Sequence, residues 1–495
     1  MTVPHAPATP SSGMRSIATN AGYLFVARFV TYGLRAVYVI VLARAFGPEL
    51  YGLLAYGQSW VGVFLPLTVL GFGVVLAREA GLDPARGRKQ VAHMLALRGA
   101  LTVAAAALCI GIGWAVNDDP AVRMLIGILV LALIGRAAAT LAEDVFAAFE
   151  AAHLTFRQEA LFRPAEVGLG LTVLAFGGGV IEIAAVHAAV HIIQGGRGLI
   201  LARRYVTILR ENLAWQSLKP LLAKGAMAGA AGLLSAWILQ GPLVIYAQIA
   251  NDKASIGNLA LVLQALVLCC TLPWAIGRAA LPVLSRASAR QDGVQVRFAE
   301  VMLRLAFVFA GASALAGLAL GPPFMAWVFG AGYAEAGSML GPALWLLLPL
   351  TAATALNSLL MVRERYGAAA LSALAGAAVM TVATPLLAMP MGPLGAISGA
   401  IAGAGLWAVW LLVLVGKDDG VDIRCAILRP AIALTLAVFA YLIMAGTGTG
   451  PLATLLVAWL VLLLATGVFC MTPAEWYATA AFATKHWANI IDRLR

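Results

Sequence analysis

The sequence predicts an all-α polytopic membrane protein: fourteen transmembrane helices, two six-helix lobes related as parallel repeats, and two further C-terminal helices. Three observations carry that prediction. Hydrophobic residues make up 62% of the 495-residue chain and charged residues 11%, against ~45–50% and ~25% in a soluble protein. Apolar stretches long enough to cross a ~30 Å hydrocarbon core recur from end to end, separated by short joints. The joints alternate in basic content, as they must if successive helices reverse direction across a membrane.

Residues 1–16, MTVPHAPATPSSGMRS, put no apolar stretch behind a basic start and read as a disordered cytoplasmic lead rather than a cleaved signal. Spans follow at 17–43, 52–76, 91–116, 122–149, 161–178, 183–204, 225–249, 255–284, 298–328, 337–362, 368–388, 392–416, 426–446 and 452–471. Even-numbered joints are basic, with Arg86, Arg88 and Lys89 after the second span and Arg203, Arg204, Arg210, Lys219 and Lys224 after the sixth. Arg157 and Arg163 fall in the joint before the fifth by the same reading. Odd-numbered joints hold only Arg44, Arg123 and Lys253. Both termini, including a tail at 472–495, are therefore expected in the cytoplasm. This bias absorbs the net charge of +11, so anionic lipid suffices as its partner and nucleic acid is not implied. The five cysteines lie in or beside apolar runs, which suggests neither a disulfide framework nor a thiolate metal cluster.

Sliding the chain by 205 positions lays YGLLA at 51–55 over IGNLA at 256–260, brings Pro66 near Pro273, and aligns the basic stretches after each. Six helices return the chain to its starting side, so the repeats are parallel. The expected divisions are an N-terminal lobe at 17–210, a cytoplasmic linker at 211–224, a C-terminal lobe at 225–416 and an added helix pair at 417–471.

LARAFGPELYG at 42–52, LGFGVVLARE at 70–79 and AALPVLSR at 279–286, in that order within fourteen spans, resemble the Wzx-type polysaccharide repeat-unit flippases. These belong to the multidrug/oligosaccharidyl-lipid/polysaccharide exporter superfamily. The resemblance implies a MATE-like V-shaped pair of lobes around a cationic central cavity. It implies passage of an undecaprenyl-diphosphate-linked oligosaccharide from the cytoplasmic to the periplasmic leaflet of a bacterial inner membrane, by alternating access. The product would feed exopolysaccharide, O-antigen or capsule assembly beside a polymerase complex. A lipid II flippase and a cation-coupled multidrug exporter of the same superfamily are the alternatives. No P-loop and no long aqueous loop with clustered acids occurs, so the chain does not read as an enzyme.

Arginines inside the spans carry the ligand argument, since each costs at least ~2.5 kcal/mol at mid-helix. Arg28 and Arg35 are seven residues apart and share a helix face, as do Arg136 and Glu143. His187, His191 and Gln194 form a polar stripe ahead of Arg197. Arg28, Arg35, Arg136 and Arg197 are thus candidates to receive a diphosphate in a cavity with surplus positive charge, because forked guanidinium donors suit phosphate. The alternative is that Arg136 and Arg197 form structural pairs with Glu143, Asp144 or Glu166. Arg98 lies about two turns in and is open to either reading, while Arg278 and Arg304 snorkel from helix ends.

Deep polar groups of the second block are neutral, among them Gln240, Gln248 and Asn357. They serve sugar hydroxyls or interhelical bonds; Gln240 and Asn357 are the candidates there for a coupling ion. His187 and His191 have metal-ligand spacing without a third ligand nearby in sequence, so no metal or other cofactor is expected. Coupling to a proton, sodium or the membrane potential stays open. Pro66 and Pro273 are candidate hinges.

Overall fold

The structure is a computed structural model that describes residues 10–206, 215–250, 252–290, 294–419 and 421–470. The first nine residues of the lead, part of the linker at 211–224 and the tail at 472–495 lie outside the described residues. All described secondary structure is helical.

The longest helix, α1, runs Pro10–Val69 in two arms joined at Gly47, whose φ of 69° and ψ of 176° are cheap only for glycine. Pro48 opens the second arm, where its fixed φ fits a first turn and its missing N–H costs nothing. Helix α2 (Phe72–Leu82) starts after Leu70, which turns the chain at φ 42°. Two Asp-Pro junctions open the next helices. Asp83 accepts the Ala85 N–H at 2.9 Å to cap α3 (Pro84–Val116), and Asp119 accepts that of Ala121 at 2.9 Å to cap α4 (Pro120–Ala148). Helix α5 is Ala152–Ala175, and α6 is Val180–Ala202. The rest are α7 (Trp215–Ile249), α8 (Lys253–Arg290), α9 (Val294–Phe329), α10 (Ala334–Leu344), α11 (Leu347–Val362), α12 (Tyr366–Met391), α13 (Pro393–Asp419), α14 (Arg429–Gly446) and α15 (Pro451–Cys470).

Eleven described helices are long and apolar enough to cross a membrane, or twelve if α10 and α11, bent by 41° at their junction, form one span. This count is of the described residues, against fourteen spans expected, and two places account for the difference. The two arms of α1, broken at Gly47, are counted together from Gly33 to Val69. Helix α5 carries Arg157, Glu159, Arg163 and Glu166 in its first two-thirds and is too charged to qualify.

The chain forms two compact units. The first takes the described residues through Ala260 with Val328–Gly332 and Tyr366–Gly399, so α7 and α12 join α1–α6. The second takes Leu261–Trp327, Tyr333–Arg365 and the described residues from Ala400 onward.

Within the first unit, α4 and α6 pack backbone to backbone: a Cβ on Gly135 would strike the His191 carbonyl, and one on Gly195 the Gly135 carbonyl. Helix α7 meets the α1–α2 break, where the Gly71 N–H donates to Gly225 O at 2.9 Å, and pairs with α12 through the Trp237 indole N–H on Thr381 Oγ1 at 2.8 Å. Phe72, Leu76, Met94, Val145, Phe146 and Leu221 fill the core beside this break. In the second unit α14 and α15 pack on α9 through Leu315, Leu434, Leu455 and Leu462. The Trp459 indole donates there to Ala312 O at 3.0 Å. Arg304, expected to snorkel, instead donates from Nη1 to Cys470 O at 2.8 Å at the end of α15.

The 205-residue repeat shows as one contact made twice. A Cβ on Gly52 would lie 2.7 Å from Gly257 N and 3.2 Å from Lys253 O, while one on Gly257 would fall on the Pro48 carbonyl. Gly52 and Gly257, like Pro48 and Lys253, are separated by 205 positions, so the partners exchange roles as across a two-fold axis. Helix propensity alone favours Gly→Ala by ~1 kcal/mol. Gly257→Ala should nonetheless lower the melting temperature of the solubilised protein. Gly232→Ala, with nothing within 4 Å of its Cβ, should not; equal melting of both variants would contradict the close crossing.

Candidate functional site

Two polar stripes face each other across the α5–α6 contact. Glu159, Arg163 and Glu166 stand at i, i+4 and i+7 on α5; His187, His191 and Gln194 repeat that spacing on α6. Arg163 sits at the centre. Its Nη1 donates to Glu166 Oε2 at 2.5 Å, its Nη2 donates to Gln194 Oε1 at 2.6 Å, and its Nε faces Glu159 Oε2 at 3.4 Å. His187 Nδ1 lies 2.5 Å from Glu166 Oε1. His191 Nδ1 is 2.8 Å from the His187 carbonyl, which can only accept, so the proton is assigned to Nδ1 and Nε2 becomes the acceptor that Arg163 Nη2 faces at 3.3 Å. Gln194 Nε2 donates to Glu159 Oε1 at 3.0 Å, and Thr31 of α1 donates to Glu159 Oε2 at 2.7 Å.

This network forms one wall of a cavity of about 270 Å³ inside the first unit, closed by α1 and α4. Arg35 and Tyr38 reach it one and two turns beyond Thr31, and Arg136, Thr140 and Glu143 reach it from α4. Arg35 is exposed and Arg136 half-buried. Neither makes a hydrogen bond or an ion pair with another described residue. Arg136 stands within electrostatic reach of Arg35, Arg163, Glu143 and Glu166.

The predicted residues therefore separate. Arg35, Arg136, Glu143, Glu166, His187 and His191 line the cavity; the side chain of Arg28 lies outside the described residues. Arg197 is not in the wall. Its guanidinium lies 5.8 Å from the centre of the Phe162 ring, and its buried Nη1 has no hydrogen-bond partner among the described residues. Arg98, only 2% exposed, is a clamp: Nη1 donates to Asp144 Oδ2 at 2.7 Å, Nη2 to Thr140 Oγ1 at 2.8 Å and Nε to Thr68 O at 3.0 Å. Asp144 thus pairs with Arg98, and Glu166 with Arg163 and His187, rather than with Arg136 or Arg197. Among the described residues the wall balances its guanidinium and carboxylate charges. Three arginines and three glutamates line it, and what distinguishes them is which are paired.

Glu166, His187 and His191 bring three donor atoms within 4.8 Å of one another, so the third ligand missing nearby in sequence is supplied by α5. The cation placed among them is the Arg163 guanidinium. Sequence reasoning had put Arg163 in a basic joint; its seven-residue register through Glu159 to Glu166 was the signal that it belongs to a helix face.

Gln240 packs against Gly62 of α1 in the first unit, and Asn357 belongs to the second, with a buried Oδ1 that has no partner among the described residues. Gln248 donates to the Tyr56 hydroxyl at 2.7 Å, an interhelical bond. Pro66 lies in the last turn of α1, where its carbonyl accepts the Leu70 N–H at 2.9 Å, and Pro273 lies within α8.

The helices and the charged cavity define a multi-pass membrane protein with the fold of the MOP-superfamily transporters. The chain matches the lipid II flippase MurJ in an inward closed conformation with a TM-score of 0.65 at 14% identity, over 90% of this chain and 98% of that one. It matches a multidrug resistance MATE family transporter of the MOP superfamily, inward-facing, with a TM-score of 0.62 at 15% identity over 79% and 94%. A MOP-superfamily transporter from Pyrococcus furiosus, described as having a binding pocket of reverse polarity, gives 0.55 at 13% over 83% and 96%. At these identities the likeness is one of fold. The chain belongs to the polysaccharide biosynthesis protein family, whose model matches residues 17–288. No curated protein matches it. These fold neighbours are described as transporters and a flippase.

The Arg98 clamp has a stability consequence. Asp144→Ala leaves a buried guanidinium without its counter-ion, a loss of about 3 kcal/mol. A sharply lower melting temperature is expected, with partial recovery when Arg98→Met is added; additive losses in the double variant would contradict the pairing.

Proposed function

We propose that the protein moves a polyprenyl-diphosphate-linked oligosaccharide repeat unit from the cytoplasmic to the periplasmic leaflet of a bacterial inner membrane, with both termini in the cytoplasm. The observation that carries the reading is the pair Arg35 and Arg136, two guanidinium groups in a cavity wall without an acidic partner among the described residues. A diphosphate supplies what they lack. Forked N–H donors match phosphate oxygens, remain charged when partly desolvated, and here break no ion pair to bind. Gln58, Tyr38 and Tyr51 add neutral donors around them. The sugar follows the diphosphate through the polar cavity while the lipid tail stays in the bilayer, and the product passes to a polysaccharide assembly complex outside.

The alternation of basic joints supports the orientation, and the family supports the polysaccharide class. Lipid II carries the same diphosphate chemistry, so the sugar and not the anchor separates that alternative.

Arg35→Gln and Arg136→Gln should each lower surface polysaccharide in a complementation assay by roughly 10- to 100-fold, the loss of ~1.5–3 kcal/mol of charged hydrogen bonding. Lys at either position should give intermediate output, since it keeps the charge and loses the fork. Arg197→Gln, outside the cavity wall, should complement. Full complementation by Arg35→Gln and Arg136→Gln, at normal protein levels, would overturn the assignment.

A further inference from the structure

Arg163 lines the same cavity as Arg35 and Arg136, yet both terminal nitrogens of its guanidinium are held from within the protein, while its Nε stands 3.4 Å from Glu159 Oε2 without a hydrogen bond among the described residues. Two carboxylates, Glu159 and Glu166, serve this one arginine, and His187 lies on the second oxygen of Glu166. A site built only to bury Arg163 needs one carboxylate. We propose that Arg163 is a latched third cation of the anion site: it exchanges its internal carboxylates for the incoming diphosphate and returns to them when the ligand leaves. The inference rests on the reading of Arg35 and Arg136 as the anion-receiving pair.

The latch has a defined release. His191 holds Arg163 only while Nε2 is a bare acceptor, because Nδ1 is committed to the His187 carbonyl. A proton taken from cavity water onto Nε2 sets N–H against N–H and ejects the guanidinium from that side. Protonation of Glu159 or Glu166 removes the ionic hold from the others. Among the described residues, the charged and titratable groups that line the cavity with the cluster are Arg35, Tyr38 and Tyr51 from α1, Arg136 and Glu143 from α4, Glu159, Arg163 and Glu166 from α5, and His187 and His191 from α6. Anion affinity therefore rises when a proton reaches this cluster.

The test measures binding of inorganic pyrophosphate to the full-length protein in nanodiscs, by calorimetry, with melting temperature as the folding control. Glu159→Gln keeps an acceptor for Thr31 but drops the charge on Arg163. It should bind pyrophosphate about tenfold more tightly than the parent, within the usual range of coupling between sites, and with a flatter pH profile. Adding Arg163→Gln should abolish the gain. Glu166→Gln is the second route to the same result if Glu159→Gln does not fold. Unchanged or weaker binding in a folded neutralised variant, with Arg35 still required, would overturn the latch and leave Arg163 a packing residue. If the parent binds no pyrophosphate and Arg35→Gln changes nothing, the anion-site reading itself falls, and the latch with it.

Discussion

The cost of holding a guanidinium away from bulk water organises the first unit. Each buried arginine there needs acceptors, and where the protein supplies them the helices are tied together. Arg98 joins α3 and α4 to the end of α1 through Asp144, Thr140 and Thr68. Arg163 joins α5 to α6 through Gln194 and His191 and orients both glutamates of its own helix. Where internal acceptors are not supplied, at Arg35 and Arg136, the side chains border a cavity instead. Arg98 and Arg163 thus belong to paired networks and Arg35 and Arg136 to the open wall, while Arg197 rests on the Phe162 ring outside it.

Close helix packing makes this possible. Polar stripes can meet only if the backbones approach, and glycines at Gly135 and Gly195 bring α4 and α6 into direct contact. That approach sets His191 and Gln194 beside α5 while leaving room between α1 and α4. The reciprocal crossing at Gly52 and Gly257 does similar work at the start of α8, and it is where the internal repeat is written into three dimensions.

Much of this was legible in the amino acids. Composition and recurring apolar runs pointed to an all-helical membrane protein, and Arg35, Arg136, His187 and His191, singled out as charges and polar groups inside apolar spans, line one cavity. Less legible was the pairing. Asp144 and Glu166 offered themselves to any nearby arginine, and sequence spacing within one helix cannot say which neighbouring helix supplies the partner. Arg163 escaped because Arg157 and Arg163 together imitate a basic joint, although Arg163 shares with Glu159 and Glu166 a helix face that packs against α6. Helix α5 falls short of an apolar span for the same reason, its charge having partners on α6.

The central claim is that the unpaired arginines serve a lipid diphosphate bearing a polysaccharide repeat unit. The most direct measurement is mass spectrometry of lipid-linked intermediates in cells depleted of the protein. The account predicts accumulation of a polyprenyl-diphosphate oligosaccharide with loss of surface polysaccharide. Unchanged lipid-linked pools together with a new sensitivity to drugs would contradict it.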